Sequence, residues 1–305
     1  MTSVGDRVSL RYRLPDGLTD VVGELAALSP LISVRTKSGE MVHIAPADVV
    51  SMRELSHVTV RNSEIRELEH AAALAWPGTE QHWCDGWLLR AGPGIGEGHT
   101  SRANSAVPLL FEANLHALPT IVDWYARRGL PAWLALPERL LPVKTPGTKP
   151  TRVLVRDITP DITPEDVPGD GTLRPSPDAE WLRIYERAVP VEVLTAVGTG
   201  EEAGEVTFAT VEGAAVGRAA VTTAPGGTRW AGLSAVRVTE DSRRRGHARA
   251  VCSALLGWAA TRGATRAYVQ VLADNSPAAT LYHSMGFRLH HTLRYLRAES
   301  LLPHA

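Results

Sequence analysis

The sequence predicts an α+β protein preceded by a small β-barrel. Three observations carry this. The first fifty-five residues alternate in hydropathy between closely spaced turn signals. The last hundred read as three strands, a helix, a strand, a helix and a strand. Between the third of those strands and the first of those helices stands Arg243-Arg244-Arg245-Gly246-His247-Ala248, a short basic loop at a helix start. Backbone N–H groups of such a loop converge on one anion, and the helix N-terminus adds its positive dipole end.

In the N-terminal unit, residues 1–56, Arg7 to Leu14 alternates as a strand and Pro15-Asp16-Gly17 is a turn. Thr19 to Leu28 and Leu31 to Thr36 are further strands, and Lys37-Ser38-Gly39-Glu40 is a hairpin turn into Met41 to Pro46. Ala47 to Val50 reads as one helical turn before a last strand, Ser51 to Leu55. Short antiparallel strands at this spacing close best as a small barrel. Its acidic and basic residues balance, which argues against a nucleic-acid module.

The middle region, 57–168, opens with a helix marked by Ile65, Leu68, Ala72 and Trp76 and ended by Pro77-Gly78. Trp87 to Ala91 and Ser101 to Val107 read as paired strands. Leu115, Leu118, Val122 and Tyr125 mark a second helix, stopped by Gly129-Leu130-Pro131; Ala132 to Leu136 and Arg152 to Asp157 are strands. Trp124-x-Ala126-x-Arg128-Gly129 parallels Trp258-x-Ala260-x-Arg262-Gly263, and each precedes a strand. The middle region therefore reads as a degenerate half of the C-terminal fold, lacking an anion loop, or as a wall for the substrate. Prolines punctuate Thr159 to Pro177, a linker that cannot be a long helix.

In the C-terminal unit, 169–305, Glu205 to Glu212, Ala214 to Thr222 and Arg229 to Val238 are strands, the last two separated by Ala224-Pro225-Gly226-Gly227. Val251, Cys252, Leu255, Leu256 and Ala259 recur at helix spacing, with Gly263 where a C-cap belongs. Ala267, Val269 and Val271 alternate along a strand. Asn275-Ser276-Pro277 then offers Ser276 as an N-cap and Pro277 as a first helical residue; Phe287 to Tyr295 is a final strand.

Two motifs in this unit belong together. One is R-x-x-G-x-A at Arg243, Gly246 and Ala248. The other runs from Asn275 through Ala278, Leu281 and Tyr282 to Gly286-Phe287, as N-x-x-A-x-x-L-Y-x-x-x-G-F. On these residues, roughly 170–300 resembles the GNAT superfamily of acyl-CoA-dependent N-acyltransferases. The N-terminal unit resembles a Src-homology-three-like barrel. Its combination with Asp85 to Arg90, with Arg102 to Ser105 and with the C-terminal half resembles an actinobacterial-type GNAT subfamily.

The resemblance implies an α/β/α fold on a mixed, mostly antiparallel sheet, acetyl-CoA as acyl donor and a primary amine as acceptor, small molecule or protein. It implies that pantetheine lies along Val236, Arg237 and Val238, with the pyrophosphate on Arg243, Arg244, Arg245, Gly246, His247 and Ala248. Asn275 then touches the CoA arm and Tyr282 protonates the departing thiolate. A phenol at pKa ~10 against a thiol at ~8.5 makes that transfer cost only about 2 kcal/mol before tuning. The amine attacks directly in a ternary complex. Trp83, Trp87, Arg102 and Asn104 are candidate substrate contacts.

A general base is harder to place. An alkylamine at pKa ~10.4 costs about 4.6 kcal/mol to deprotonate at pH 7. Many GNAT members use a glutamate on the strand before the loop, yet Arg229 to Val238 holds no carboxylate. Glu192, Glu205 and Glu212 are the alternatives. That gap keeps open a second function, a catalytically inactive acyl-CoA sensor or scaffold.

Other patterns carry less. Gly92, Gly94, Gly96 and Gly98 imitate a dinucleotide loop, but no helix pattern follows, so a hairpin loop is preferred. His290-His291 point to opposite faces of a regular strand, and His82 with Cys84 lacks further ligands at zinc spacing; no metal is expected. A net charge of −1 gives no reason to expect nucleic acid or a membrane surface as partner. Two cysteines far apart, no signal core and no membrane-length apolar run point to a cytoplasmic protein.

Overall fold

The computed structural model describes residues 2, 4–55, 59–93, 100–158, 172–200 and 203–302. The N-terminal unit is a five-stranded antiparallel sheet: β1 Arg7–Leu14, β2 Gly17–Ala27, β3 Ile32–Thr36, β4 Met41–Ile44 and β5 Val49–Glu54. Its order is β4-β3-β2-β1-β5. Alternation puts Val8, Leu10, Val21, Leu25, Val34 and Ile44 on one interior face. The helical turn expected at 47–50 is a 3-10 turn at Pro46–Asp48, opened by its proline.

The main sheet has eight strands. They are β9 Trp133–Pro137, β10 Thr148–Asp157, β11 Thr172–Arg174, β12 Glu205–Val211, β13 Ala215–Thr223, β14 Arg229–Val238, β15 Arg266–Leu272 and β16 Arg288–Arg297. They run in the order β11-β12-β13-β14-β15-β10-β16-β9. Every pair is antiparallel except β14 with β15. Helix α5, His247–Thr261, connects that parallel pair and buries Val251, Cys252, Leu255, Leu256 and Ala259 on one sheet face. Complete burial of each leucine is worth roughly 1.5–3 kcal/mol. Helix α1, Asn62–Ala75, covers the other face with Leu68, Ala71 and Ala72 against Trp230 and Tyr268. Two short helices, α3 Ala179–Tyr185 and α4 Val191–Thr195, extend that layer around Trp181. Helix α6, Ser276–Ser284, leads into β16.

A second sheet joins β6 Glu80–Cys84, β7 Trp87–Ala91 and β8 Val107–Pro108. Beyond β8, Ala106 bridges Leu134 of β9 in parallel. Helix α2, Leu118–Ala126, lies between β8 and β9 in the chain. Antiparallel β6-β7-β8, helix α2, then parallel β9 is the sequence of β12-β13-β14, α5 and β15. The matched ends of α2 and α5 also share geometry. Arg128 stacks 3.7 Å over Trp124 and Arg262 5.8 Å over Trp258, and Gly129 and Gly263 are both left-handed.

One expectation changes. The paired strand expected at Ser101 to Val107 is real only at Val107–Pro108. Residues before it turn, because their side chains bond backbone instead: Ser105 Oγ donates to Ser101 O at 2.8 Å and Asn104 Nδ2 to Thr100 O at 3.3 Å. Two strands of the main sheet, β9 and β10, come from the middle region. Of the proline-rich linker, Thr172–Arg174 forms an edge strand on β12, while 159–171, and Gly94, Gly96 and Gly98 of the glycine loop, lie outside the described residues. Among the described residues no helix is long and apolar enough to cross a membrane.

Candidate active site

Strands β14 and β15 pair from Trp230↔Arg266 to Leu233↔Val269 and then part. The pairing can be this close because Gly232 has no side chain; a Cβ there would meet the Tyr268 hydroxyl at 2.2 Å. Beyond Leu233, β14 bulges: Arg218 faces Ser234 but Val216 faces Arg237, and Ala235 is forced to φ 54°. The wedge between the strands opens into a groove of about 470 Å³. Leu233 to Arg237 and Gln270 to Leu272 line it, together with Asn275 at the cap of α6, Tyr282 within α6, and Arg102, Lys149 and Tyr295.

Asn275 caps α6, its Oδ1 accepting from Ala278 N at 3.2 Å. It therefore takes the cap position expected of Ser276, which becomes the first helical residue. Tyr282 is almost fully buried, edge-on to Phe287, and its hydroxyl meets the Cys252 thiol of α5. Burial, then Cys252, pushes the phenol well above its ordinary pKa. Burial likewise pushes the Cys252 thiol up to about 12.

The basic loop is exposed at the end of β14. Arg244 (φ 63°) and Gly246 (φ 86°) are both left-handed, which turns the chain into His247 and Ala248 at the start of α5. A Cβ on Gly246 would meet nothing within 4 Å, so its glycine serves the backbone turn and an open approach. Arg243 lies 3.6 Å from Glu240. The groove's lining includes Val236, Arg237, Asn275, Tyr282 and Arg102, but neither Val238 nor Arg243 to Ala248, which lie beyond it. Val238 pairs with Ala215 and packs against the α5 core.

Of the expected substrate contacts, only Arg102 reaches the groove. Trp87 is completely buried, its Nε1 donating to Asn114 O at 2.9 Å, so it is core. Asn104 is buried as a brace, its Oδ1 accepting from Gly92 N at 2.9 Å. Trp83 is half-exposed on β6 and stacks on His70 away from the lining. The three alternative bases also lie elsewhere. Glu205 pairs with Arg229 and Arg262, Glu192 sits in the first turn of α4, and Glu212 follows the far end of β12.

A carboxylate comes instead from α1. A narrow cavity of about 10 Å³, room for about one water, shares Arg102, Gln270 and Tyr295 with the groove and is lined by Glu69. Glu69 Oε1 lies 3.0 Å from His291 Nε2, and His291 Nδ1 lies 2.8 Å from His290 Nδ1; all three residues are buried. The two histidines do not point to opposite faces. Val153 of β10 faces His291 while Leu154 faces Leu289, so His290 is the extra residue of a bulge, which turns its ring toward its neighbour. Burial first, then His291, holds His290 down at about pKa 3.

Elsewhere, Asp6, Glu54 and His283 bring their ligand atoms within 4.8 Å of one another where the N-terminal unit meets α6. Glu54 is already engaged there, 2.8 Å from Arg152 of β10.

Comparison with known proteins places this geometry. Residues 62–296 match the family model "Probable histone acetyltransferase Rv0428c C-terminal", and residues 2–53 match "Rv0428c N-terminal Sm-like domain". The N-terminal unit is thus Sm-like rather than Src-homology-three-like; both are short, bent, five-stranded antiparallel units, and turn spacing does not separate them. Over 305 residues the chain is 48% identical to "Probable histone acetyltransferase Rv0428c" of Mycobacterium tuberculosis, covering 98% of this chain and 96% of that protein. It is 25% identical to "Uncharacterized N-acetyltransferase YobR" of Bacillus subtilis, over 73% of this chain and 94% of that one. Among solved structures, a GCN5-related N-acetyltransferase from Kribbella flavida superposes with a TM-score of 0.50 at 16% identity, over 79% of this chain and 96% of that one. The wedge between β14 and β15, the loop before α5 and these matches lead to one assignment: the chain belongs to the Rv0428c-like family of probable acetyltransferases, with the GNAT fold and an N-terminal Sm-like domain.

Proposed function

We propose that the protein moves an acetyl group from acetyl-CoA to a primary amine by direct attack in a ternary complex. The observation that carries this reading is the parting of β14 and β15, which leaves backbone groups of Val236 and its neighbours unpaired beside Tyr282 and Asn275. Pantetheine fits that wedge, with the pyrophosphate on Arg243 to Ala248, where backbone N–H groups and arginines meet a helix N-terminus. Bound acetyl-CoA supplies the activated acyl carbon.

The residues divide the proton work. The amine nitrogen gives up one proton as its bond to carbon forms, and the thiolate sulfur takes one as the C–S bond breaks. Tyr282 is the donor to sulfur. Glu69, relayed through one water in the narrow cavity, is the acceptor from nitrogen, with His291 sharing the charge. In the neutral-histidine state His291 Nε2–H donates to Glu69 and His290 Nδ1–H donates to His291.

The absence of a carboxylate from the groove's lining among the described residues is what favours an acyl-CoA sensor instead; the adjoining Glu69 cavity weighs against it. Residues 57–168 fit a degenerate half of the same fold, a reading supported by their repeated strand order and matched helix ends. The relative's name makes a protein lysine one candidate acceptor.

Calorimetric titration with acetyl-CoA tests the reading, with Gly246→Trp alongside to fill the loop and a melting curve to show that the variant folds. Micromolar binding lost in the folded variant is expected. No binding by the unmodified protein would end the reading.

A further inference from the structure

The lining of the groove has one sign of charge. Among the described residues it contains Arg102, Lys149, Arg187 and Arg237 and no carboxylate. Arg237 is neutralised by an ion pair with Glu186. The other three are not neutralised among the described residues. Arg102 donates from Nε to Gln270 Oε1 at 2.9 Å and from Nη2 to Gln270 O at 3.1 Å. Lys149 donates to Ser101 Oγ at 2.7 Å. Arg187 has no ion pair there.

Holding these cations together works against the fold. Lys149 is left-handed at φ 50°, which breaks the β10–β16 register between Thr148 and Thr151. Its pKa is lowered by burial first, then by Arg187 and Arg102, so the three share one neighbourhood. Like charges and a strained non-glycine backbone at one place call for a ligand that relieves them. The phosphates of acetyl-CoA have their own loop, Arg243 to Ala248, outside this lining.

Resting on the acetyltransferase reading above, we propose that the acceptor is a small anionic amine, whose own carboxylate or phosphate is held by Arg102, Lys149 and Arg187. Its nitrogen then lies between the thioester and the Glu69 cavity, which shares Arg102 with the groove. A lysine-rich protein segment would bring further positive charge into a positive groove, and the groove of about 470 Å³ must also hold the pantetheine arm. The reaction balances without a further reagent: an N–C bond forms, the C–S bond breaks, nitrogen loses one proton and sulfur gains one.

The test measures CoA release with β-alanine (carboxylate), phosphoethanolamine (phosphate), n-propylamine (uncharged when deprotonated) and a lysine-rich peptide. The expected order puts an anionic amine at least roughly tenfold above n-propylamine in kcat/KM, and the better of the two names the anion. Lys149→Met and Arg187→Met should each remove roughly 10- to 100-fold of that preference, with acetyl-CoA affinity retained. Lys149→Glu should move the preference toward the peptide. A native preference for the peptide or for n-propylamine overturns the anion site while leaving the acetyltransferase standing. So does a loss of acetyl-CoA affinity, in place of acceptor selectivity, in the methionine variants. Calorimetry of β-alanine and phosphoethanolamine against the CoA-saturated protein separates the two readings. Binding that needs Lys149, with no turnover of any amine, keeps the anion site and ends the acetyltransferase reading. The absence of both binding and turnover, with both anionic amines, overturns the proposal.

Discussion

Burial of the Tyr282 hydroxyl against Cys252 raises its pKa, which in water would make it a poorer acid. In the proposed reaction Tyr282 is nevertheless the lining group placed to give the departing thiolate its proton. Tyr282→Phe should therefore lower kcat by about 10²–10⁴-fold and change acetyl-CoA affinity by less than about twofold. An unchanged kcat across the pH range would remove the acid assignment. For Glu69 the informative variable is the amine. Glu69→Gln should depress the rate with an alkylamine, pKa ~10.4, far more than with an amine near pKa 8, whose deprotonation at pH 7 costs only about 1.4 kcal/mol against about 4.6. An equal loss with both would make Glu69 a structural partner of His291 and nothing more. The expectations for Tyr282, Asn275 and the arginine loop came from contiguous motifs, R-x-x-G-x-A and N-x-x-A-x-x-L-Y-x-x-x-G-F. Glu69, Lys149 and Arg187 were not legible. Lys149 and Arg187 reach the groove, and Glu69 the cavity beside it, from separate elements, and Lys149 does so through a backbone twist that no periodicity announces.

At the scale of elements, bulges decide where side chains point. The extra residue at His290 keeps a neutral imidazole inside, held at about pKa 3 against about 6.5 for a free histidine. Between those values the unfolded chain binds a proton that the native state refuses, so native stability rises with pH across this window. The contribution is whole above about pH 6.5 and is lost as pH falls toward 3, on the order of a few kcal/mol in all. Urea midpoints measured from pH 7 to pH 4 should fall for the native protein and fall less for His290→Gln; parallel curves would contradict this. The same kind of irregularity at Ala235 accompanies the wedge between β14 and β15, and a strict period of two misses both. The bounds of the long strands Arg7–Leu14, which alternates, and Arg229–Val238, an apolar run, were read to the residue. The strand Glu80–Cys84, mostly exposed, and the helices Ala179–Tyr185 and Val191–Thr195, of seven and five residues, were too short to show a period.

At the scale of the molecule, one buried arginine ties the halves together. Arg218 of β13 is wholly buried and stacks 4.2 Å over Trp76. Its Nε donates to Leu194 O at 2.7 Å, and its Nη2 donates to Ala75 O at 2.8 Å and Ala196 O at 3.0 Å. Burial lowers its pKa to about 10, still charged at neutral pH. Arg218→Met would orphan these carbonyls at a cost of about 3 kcal/mol, or roughly 6–12 °C in Tm. A Tm within about 2 °C of native would mean that water replaces the guanidinium there. The sheet binds the halves more deeply. β10, from the earlier half, lies beside β15, while β16, from the later half, lies beside β9. Each half lends the other a strand, as two subunits do in a domain swap, within a single polypeptide. Neither can seal its hydrogen-bond ladder alone, and β16 leaves the ribosome after every other strand described. During synthesis the first half must therefore wait with the edge of β9 open, a state in which sticky intermediates and chaperones compete for it. A chain divided between residues 158 and 172 should yield two pieces that precipitate apart and assemble when made together.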